Sequence, residues 1–222
     1  MGVRNLNGRL RNFTLHVPKE IETASGIVIM GRRVKSLVFT TDICIIRNVD
    51  ADAVLAVYPF TPQPIINAAV MFAAEVPVIA GVGGGLTKGK RVVELAKNAE
   101  FQGSAGVVVN APTSDAVLSE VAETVDIPVF VTVINERDDI KSRLEHGADA
   151  FNVSAAGKTA EIVAKIRKIS QDVPIIATGG PSNETIIETI KAGANAITWT
   201  PPSNGEVFKD IMTAYRDGKP HP

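Results

Sequence analysis

Apolar residues in this chain come in short dense runs, and two kinds of run take turns. One kind opens on an acid and a proline: EVPVIAG (75–81), DIPVFVT (126–132) and DVPIIAT (172–178), starting 51 and then 46 residues apart. The other opens on small or acidic residues: DADAVLAV (50–57), GSAGVVVN (103–110), GADAFNVS (147–154) and GANAITWT (193–200). These runs of 5 to 8 residues are Val, Ile, Ala and Phe with little apolar–polar alternation, so each reads as a strand buried on both faces. Proline at a strand's first residue is tolerated because the ladder has barely begun. Between the runs the period becomes helical. TKGKRVVELAKNAE puts Val92, Val93, Leu95 and Ala96 on one side; SDAVLSEVAETV repeats Val117, Leu118 and Val121 behind a Ser114 or Asp115 cap; SNETIIETIKAG starts after Pro181 and stops at Gly193.

Seven strands are predicted to begin near Ala53, Pro77, Gly106, Pro128, Ala150, Pro174 and Asn195, and KSLVFTTD (35–42) supplies an eighth, followed by a short helix over 43–48. Strands alternating with crossover helices predict the α/β class and a closed (β/α)₈ TIM barrel over about 35–215, within one domain spanning 1–222. An open doubly wound sheet is the competing layout, and it does not predict so even an alternation. Residues 1–34 are an N-terminal extension. In it, SGIVIMGRRVKSLVF is spaced for a two-stranded hairpin through Gly31-Arg32, set to plug the bottom of the barrel or to cover its flank.

Composition narrows the function. A chain of 222 residues, 45% hydrophobic and 21% charged with a formal net charge of -1, builds a full core and shows no excess of basic residues or tail attracted to polyanions, so nucleic acid is not an expected partner. The single cysteine, Cys44, excludes an internal disulfide framework and a Cys-based zinc cluster, and fits a reducing compartment. MGVRNLNGRLRNF lacks a signal peptide's apolar stretch, and no run approaches the ~18 apolar residues of a membrane span. The expectation is a cytoplasmic protein with no membrane partner.

A barrel carries its active site at the C-terminal ends of the strands. Asp50, Asp52, His146, Asp149 and Asn195 precede strands and are therefore expected at the opposite end, as turn and cap residues. The functional end presents Thr40, Thr41, Asp42, Tyr58, Thr61, Asn135, Glu136 and Lys158, with Gly83, Gly84, Gly85, Lys88, Asn110, Thr132, Ser154, Thr178 and Thr200 as candidate pocket-lining residues. The period of two puts Asn152 with Ser154, and Thr198 with Thr200, on one face each, which implies a polar lining.

VIAGVGGGLTKGKR (78–91) approaches the P-loop pattern G-x-x-x-x-G-K-[ST], but Arg91 replaces the hydroxyl that would hold Mg²⁺. The glycines are read as a tight turn lining the pocket, with Lys88 placed to steer an anion. The stronger phosphate signal is IIATGGPSNETI (175–186), where Gly179 and Gly180 follow a strand and open onto a helix N-terminus.

At PIIATGG followed by a helix and KAGANAI, the chain resembles the ribulose-phosphate-binding barrel superfamily, which includes indole-3-glycerol-phosphate synthase, the tryptophan synthase alpha subunit, N-acetylmannosamine-6-phosphate epimerase and the phosphogluconate-type aldolases. The resemblance covers about 35–215 in layout. It implies that Gly179 and Gly180 hold a substrate phosphate together with backbone N–H groups of the last strand's loop. Here that loop reads Thr200-Pro201-Pro202-Ser203-Asn204-Gly205; its two prolines remove two donors, leaving Ser203, Asn204 and Gly205 to complete the cup. The superfamily's Schiff-base lysine is absent from every strand after the first, as is its Asp-x-Lys-x-x-Asp cluster, and no histidine ends a strand. Carboxylates remain for proton transfer: Asp42, helped by Glu136 or Lys158, although Asp42 is equally an N-cap and Glu136 reads more readily as an acid of a helix's first turn.

The expectation is therefore an enzyme of isomerase, epimerase or lyase type acting on a small phosphorylated metabolite. A hydrolase on the same fold, with Asp42 and Glu136 sharing a cation, is the runner-up, although no three metal ligands are spaced together. A non-catalytic sensor of a phosphorylated ligand, or a complex subunit, is the rival from another class. No motif calls for a cofactor. By analogy with barrels of this size, a homodimer is the oligomer to test.

Overall fold

The structure, a computed structural model, describes residues 14–220; the part of the N-terminal extension before residue 14 lies outside the described residues. Every predicted apolar run is a strand. Eight parallel strands, β3 (Ser36–Phe39), β4 (Ala53–Ala56), β5 (Val78–Gly83), β6 (Gly106–Val109), β7 (Val129–Val133), β8 (Ala150–Val153), β9 (Ile175–Thr178) and β10 (Ala196–Trp199), close into a barrel in chain order, β10 pairing with β3. The helices between them are α1 (Ile43–Arg47), α2 (Pro64–Ala73), α3 (Lys90–Phe101), α4 (Asp115–Thr124), α5 (Ile140–Glu145), α6 (Thr159–Ile169) and α7 (Asn183–Lys191). A last helix, α8 (Asn204–Arg216), follows β10 and buries none of its residues. The fold is a (β/α)₈ TIM barrel.

The alternation of two run types has a physical cause at the N-terminal rim. In β4, β8 and β10 a polar residue just before the strand clamps the opening N–H groups of the neighbouring strand. Asp52 Oδ2 accepts from the N–H of Lys35 (2.9 Å) and Ser36 (3.0 Å), Asp149 Oδ2 from Val129 N–H (2.8 Å), and Asn195 Oδ1 from Ile175 N–H (2.9 Å). Before β6, Ser104 does the equivalent by donating to the Val78 carbonyl at 3.0 Å. The three proline-led strands are clamped in this way along with β3, and the Pro77, Pro128 and Pro174 carbonyls also accept from Val54, Val107 and Phe151 N–H. His146 and Asp50 likewise hold local groups at this end.

The hairpin is present as β1 (Ile27–Ile29) and β2 (Arg32–Val34), paired antiparallel with Ile29 opposite Arg32. Its turn is Met30-Gly31, one residue earlier than the expected Gly31-Arg32. Both turn residues have positive φ (50° and 77°), the mirror-image turn whose twist suits a two-residue hairpin. Of the two placements open to it, the hairpin takes the plug. Ile27, Ile29 and Val34 are buried with Leu37, Leu55, Ile79, Phe130 and Ile176, which point into the barrel, while Val28 faces out. Small residues make the room: Ala53, Ala150 and Ala196 join this cluster, and at Gly106 an added Cβ would sit 3.1 Å from the Phe130 ring.

Helix α5 starts at Ile140, past the charged NERDD segment (135–139), so Glu136 is not the helix-start acid that its place in the sequence suggests. Residues 134–139 are a side-chain-braced loop, in which Asp138 accepts from the N–H of Ile134 and Asn135, Asn135 accepts from Arg137 N–H, and Asp139 is the N-cap. Local Asx turns win there because they satisfy the backbone without a helix. Trp199 packs outward against the helix layer, as the alternation predicts.

Candidate functional site

At the C-terminal end the barrel interior changes from hydrocarbon to hydroxyl and amide. Thr132 on β7 pairs in register with Asn152 on β8, whose Nδ2 donates to Thr132 Oγ1 at 3.2 Å. Thr178 on β9 lies beside Thr198 on β10. Thr198 is 5% exposed and its Oγ1 has no hydrogen-bond partner. Asn110, Ser154 and Thr200 continue this face as exposed residues just past their strands. This part of the interior is polar but carries no ionised group, which suits a ligand read by neutral hydrogen bonds.

Beside this ring a pocket of about 330 Å³ opens over the ends of β4, β5 and β6. Its walls are Val57, Tyr58 and Phe60 on one side and Gly81, Gly83 and Gly85 on the other, with Asn110 at the edge. The glycines make the space. At Gly81 an added Cβ would lie 3.1 Å from Val57 Cγ2, and β5 bulges between Gly81 and Gly83 before φ turns positive at Gly83 and Gly84. Phe60 (72% exposed) and Leu86 (98%) flank the opening as uncovered apolar side chains. The Tyr58 hydroxyl oxygen accepts from Gln63 N–H at 2.7 Å, which leaves its proton free to donate. Val57 and Phe60 were not singled out from sequence. The signal was there in YPFTP, an apolar stretch between strand and helix that neither period explains.

The predicted catalytic residues divide. Asp42 caps α1, its Oδ1 accepting from Cys44 N–H (2.8 Å) and Ile45 N–H (3.3 Å). Glu136 follows β7, which lies opposite β3 in the eight-strand ring, so Asp42 and Glu136 come off opposite sides of the mouth. Glu136 instead meets Lys158, with Lys158 Nζ 2.6 Å from Glu136 Oε1, and Lys165 Nζ donates to the Glu136 carbonyl. The Lys158 hydrogen bond and charge hold the Glu136 carboxyl below its ordinary range, and the Glu136 hydrogen bond and charge raise the Lys158 ammonium above its own. Both side chains are well exposed, so this is a rim ion pair. Among the described residues no three His, Cys, Asp or Glu side chains gather as a metal cluster.

The predicted phosphate cup is largely committed to the chain itself. Gly179 N–H donates to the Thr198 carbonyl, and an added Cβ there would meet Ile186 and Ile197 at 2.7 and 2.8 Å, so packing of α7 on the barrel already demands glycine. Ser182 and Thr185 cap the start of α7 reciprocally. Ser203 and Glu206 do the same for α8, with Glu206 Oε2 accepting from Ser203 N–H at 2.8 Å and from its hydroxyl at 2.7 Å. These bonds hold the Glu206 carboxyl below its usual range and place a negative charge beside Asn204 and Gly205. Gly180, exposed with φ 81°, is the glycine of that turn left facing the rim.

No protein-family model matches the chain, and no curated protein matches it. Solved structures do. A phosphonopyruvate hydrolase in complex with oxalate and Mg²⁺ aligns at 14% identity over 84% of this chain and 84% of its own, with a TM-score of 0.64. A phosphoenolpyruvate phosphomutase from Streptomyces platensis subsp. rosaceus aligns at 13% identity over 90% and 86% (TM-score 0.63). A dihydrodipicolinate synthase from Bacillus anthracis aligns at 14% over 82% and 76% (TM-score 0.57). At such identities the likeness is one of fold, and it places the chain among TIM barrels. No described helix is long and apolar enough to cross a membrane.

Proposed function

We propose that the chain is an enzyme of isomerase or lyase type acting on a small phosphorylated metabolite bound in the barrel mouth. The observation that carries this reading is the roughly 330 Å³ pocket, walled by Tyr58, Phe60 and the β5 glycines, opening beside a ring of Thr132, Asn152, Thr178 and Thr198. Neutral donors and acceptors on rigid strand ends suit a hydroxyl- or carbonyl-bearing carbon chain. The phosphate is assigned to the turn at Gly180, the glycine left facing the rim beside the capped start of α7, in keeping with the resemblance to ribulose-phosphate-binding barrels. Asp42 is assigned proton transfer, because capping occupies its Oδ1 and leaves Oδ2 available. The Glu136–Lys158 pair is assigned to the rim, where it orients charge on the ligand. The fold neighbours named for phosphonopyruvate and phosphoenolpyruvate chemistry make three-carbon keto acids the second ligand group to test.

The test begins with thermal shifts against ribose 5-phosphate, a hexose 6-phosphate, phosphoenolpyruvate and the unphosphorylated sugars. A ligand at about 100 times its Kd stabilises by about 2.7 kcal/mol, which is readily seen. The best ligand is then followed by NMR for exchange of its carbon-bound protons with ²H₂O. Asp42→Asn keeps the helix cap, because asparagine caps as well as aspartate, and is expected to bind the ligand while losing the exchange. Unchanged exchange would remove Asp42 from the chemistry. Ligand binding with no exchange in the native chain would favour the sensor reading, which draws support from the absence of ionised groups in the polar ring.

A further inference from the structure

The mouth pocket has two unlike walls. One is aromatic, formed by Tyr58 and Phe60 from the loop that follows β4. The other is the backbone of the β5–α3 loop, where Gly83 and Gly85 present no side chain and Leu86 stands exposed at the lip. Among the described residues no charged side chain lines the space between them. An ionised group at this end of a ligand would therefore be buried without a partner, and an apolar one would not.

Packing does not explain Gly85. Glycine is required at 83, where an added Cβ would come 2.9 Å from Thr87 Cβ at φ 109°, and at 84, where it would meet Thr113 Oγ1. Gly85 lies outside the left-handed region, and the nearest atom to an added Cβ is Asn110 Nδ2 at 3.7 Å, an ordinary contact. A side chain there would fit the chain and project toward Asn110 at the pocket's edge. Glycine at 85 thus keeps the space open rather than the turn intact.

A second observation is independent of the glycines. Thr87 is 7% exposed and lines the pocket, and its hydroxyl makes no hydrogen bond to the chain. Unlike the unpaired hydroxyls of Thr113 and Thr198, it is not sealed from solvent. With the free proton of Tyr58 and the Asn110 amide, it gives an otherwise apolar slot a neutral polar edge.

We propose that this slot holds a planar aromatic or heteroaromatic ring of the ligand, seated between the Tyr58–Phe60 wall and the glycine backbone. This rests on the reading that the barrel mouth is the substrate site, and it narrows the substrate to a phosphorylated metabolite that carries a ring. Aromatic side chains attract a second ring in offset-stacked or edge-on arrangements, and a backbone without Cβ lets the opposite ring face approach closely. A sugar presents hydroxyls on every side, which suits the neighbouring Thr132 and Asn152 but not Phe60 and Leu86.

Benzamide and cyclohexanecarboxamide, titrated into ¹⁵N-labelled protein, test the slot, because they share a polar group and differ in planarity. Benzamide is expected to move the backbone N–H signals of Gly83, Gly85 and Thr87 saturably. It should bind about three- to tenfold more tightly than cyclohexanecarboxamide, the range for one stacked aromatic pair. Phe60→Ala, at an exposed position that leaves the fold intact, should weaken benzamide by a similar factor, and Gly85→Leu should abolish its binding. Equal affinity for the two amides, no saturable movement, or unchanged benzamide affinity in both variants overturns the proposal. Phenyl phosphate and adenosine 5′-monophosphate separate the two sources of such a ring, an aryl metabolite and a nucleobase. Movement of the loop signals by either supports the slot, and equal movement by ribose 5-phosphate overturns it. If ribose 5-phosphate moves the Thr132, Asn152 and Gly180 signals while no ring compound moves the loop, the slot fails and the phosphorylated-substrate reading stands. If ring compounds move the loop and no phosphorylated compound moves Gly180, the slot stands and that reading fails.

Discussion

Two sectors of the barrel rim use the same local vocabulary and come out differently. After β9, two glycines lead into α7, and after β10 a Ser-Asn-Gly step leads into α8. From the last residue of β5, three glycines and a Thr-Lys-Gly step lead into α3. On the β9–β10 side the chain satisfies its own helix starts, through Ser182 with Thr185 and Ser203 with Glu206. On the β5 side α3 starts uncapped, with cations around it. Glycines before a helix show that an anion has room to approach. Whether the site is open depends on whether a side chain three residues on has already taken the N–H groups.

The comparison breaks most visibly at the glycines. Gly84→Ala adds a Cβ 1.8 Å from Thr113 Oγ1 at φ 104°, and is expected to cost about 3 kcal/mol from overpacking plus backbone strain. That is roughly 6–12 °C in Tm for a chain of this size. Gly89→Ala, with nothing within 4 Å of the added Cβ, carries only the backbone term of about 1–2 kcal/mol. Equal losses at the two positions in thermal melts would show that the Thr113 contact is not what makes Gly84 necessary.

Removing the caps comes next. Ser182→Ala and Ser203→Ala should each lose about 1 kcal/mol by chemical denaturation. Ser203→Ala should also let Glu206 titrate closer to its ordinary range, since Ser203 is the largest cause of its depression. A Glu206 carboxyl signal that titrates unchanged would mean that something other than Ser203 holds it.

Asp42→Asn should shift stability by no more than about 0.5 kcal/mol, whereas Asp42→Ala should lose about 1 kcal/mol with the α1 cap. Parallel melts of the two variants separate the capping role from any chemistry.

The smallest effect is expected at Glu136 and Lys158. The Glu136 pKa is depressed, so any stabilisation from the pair is complete at neutral pH and is lost as pH falls through the folded-state value, below 4.5. Because the pair is solvated, Lys158→Met should leave the melting temperature at pH 7 unchanged while moving the Glu136 carboxyl titration upward, as followed by ¹³C NMR. A clear loss of stability would mean the pair is more than a rim contact.

Much of the site's framework was legible in sequence. Prolines and acids at strand starts, doubly buried runs and helical spacing placed all eight barrel strands, because each depends on which side chains alternate over a few residues. The α8 capping box was legible too, as the S-x-x-E step from Ser203 to Glu206, although Ser203 was expected in the phosphate cup; the α7 box, Ser182 with Thr185, lacks that signature. Other features were not. Thr113 reads as one more hydroxyl in a loop, and only contact with Gly84, 29 residues away in the chain, shows that it is buried without a partner.

The amino-acid order alone determined the strand count, the helices between strands, the end of the barrel that carries the loops and the polar face of the last interior layer. These follow from periodicities within single segments. Tertiary structure alone decided that the hairpin enters the barrel, that Asp42 and Glu136 stand apart while Glu136 meets Lys158, and that a pocket lies between Tyr58 and the β5 glycines. Ring closure brings together residues from different strands, and a local pattern carries no information on which empty volume their side chains leave.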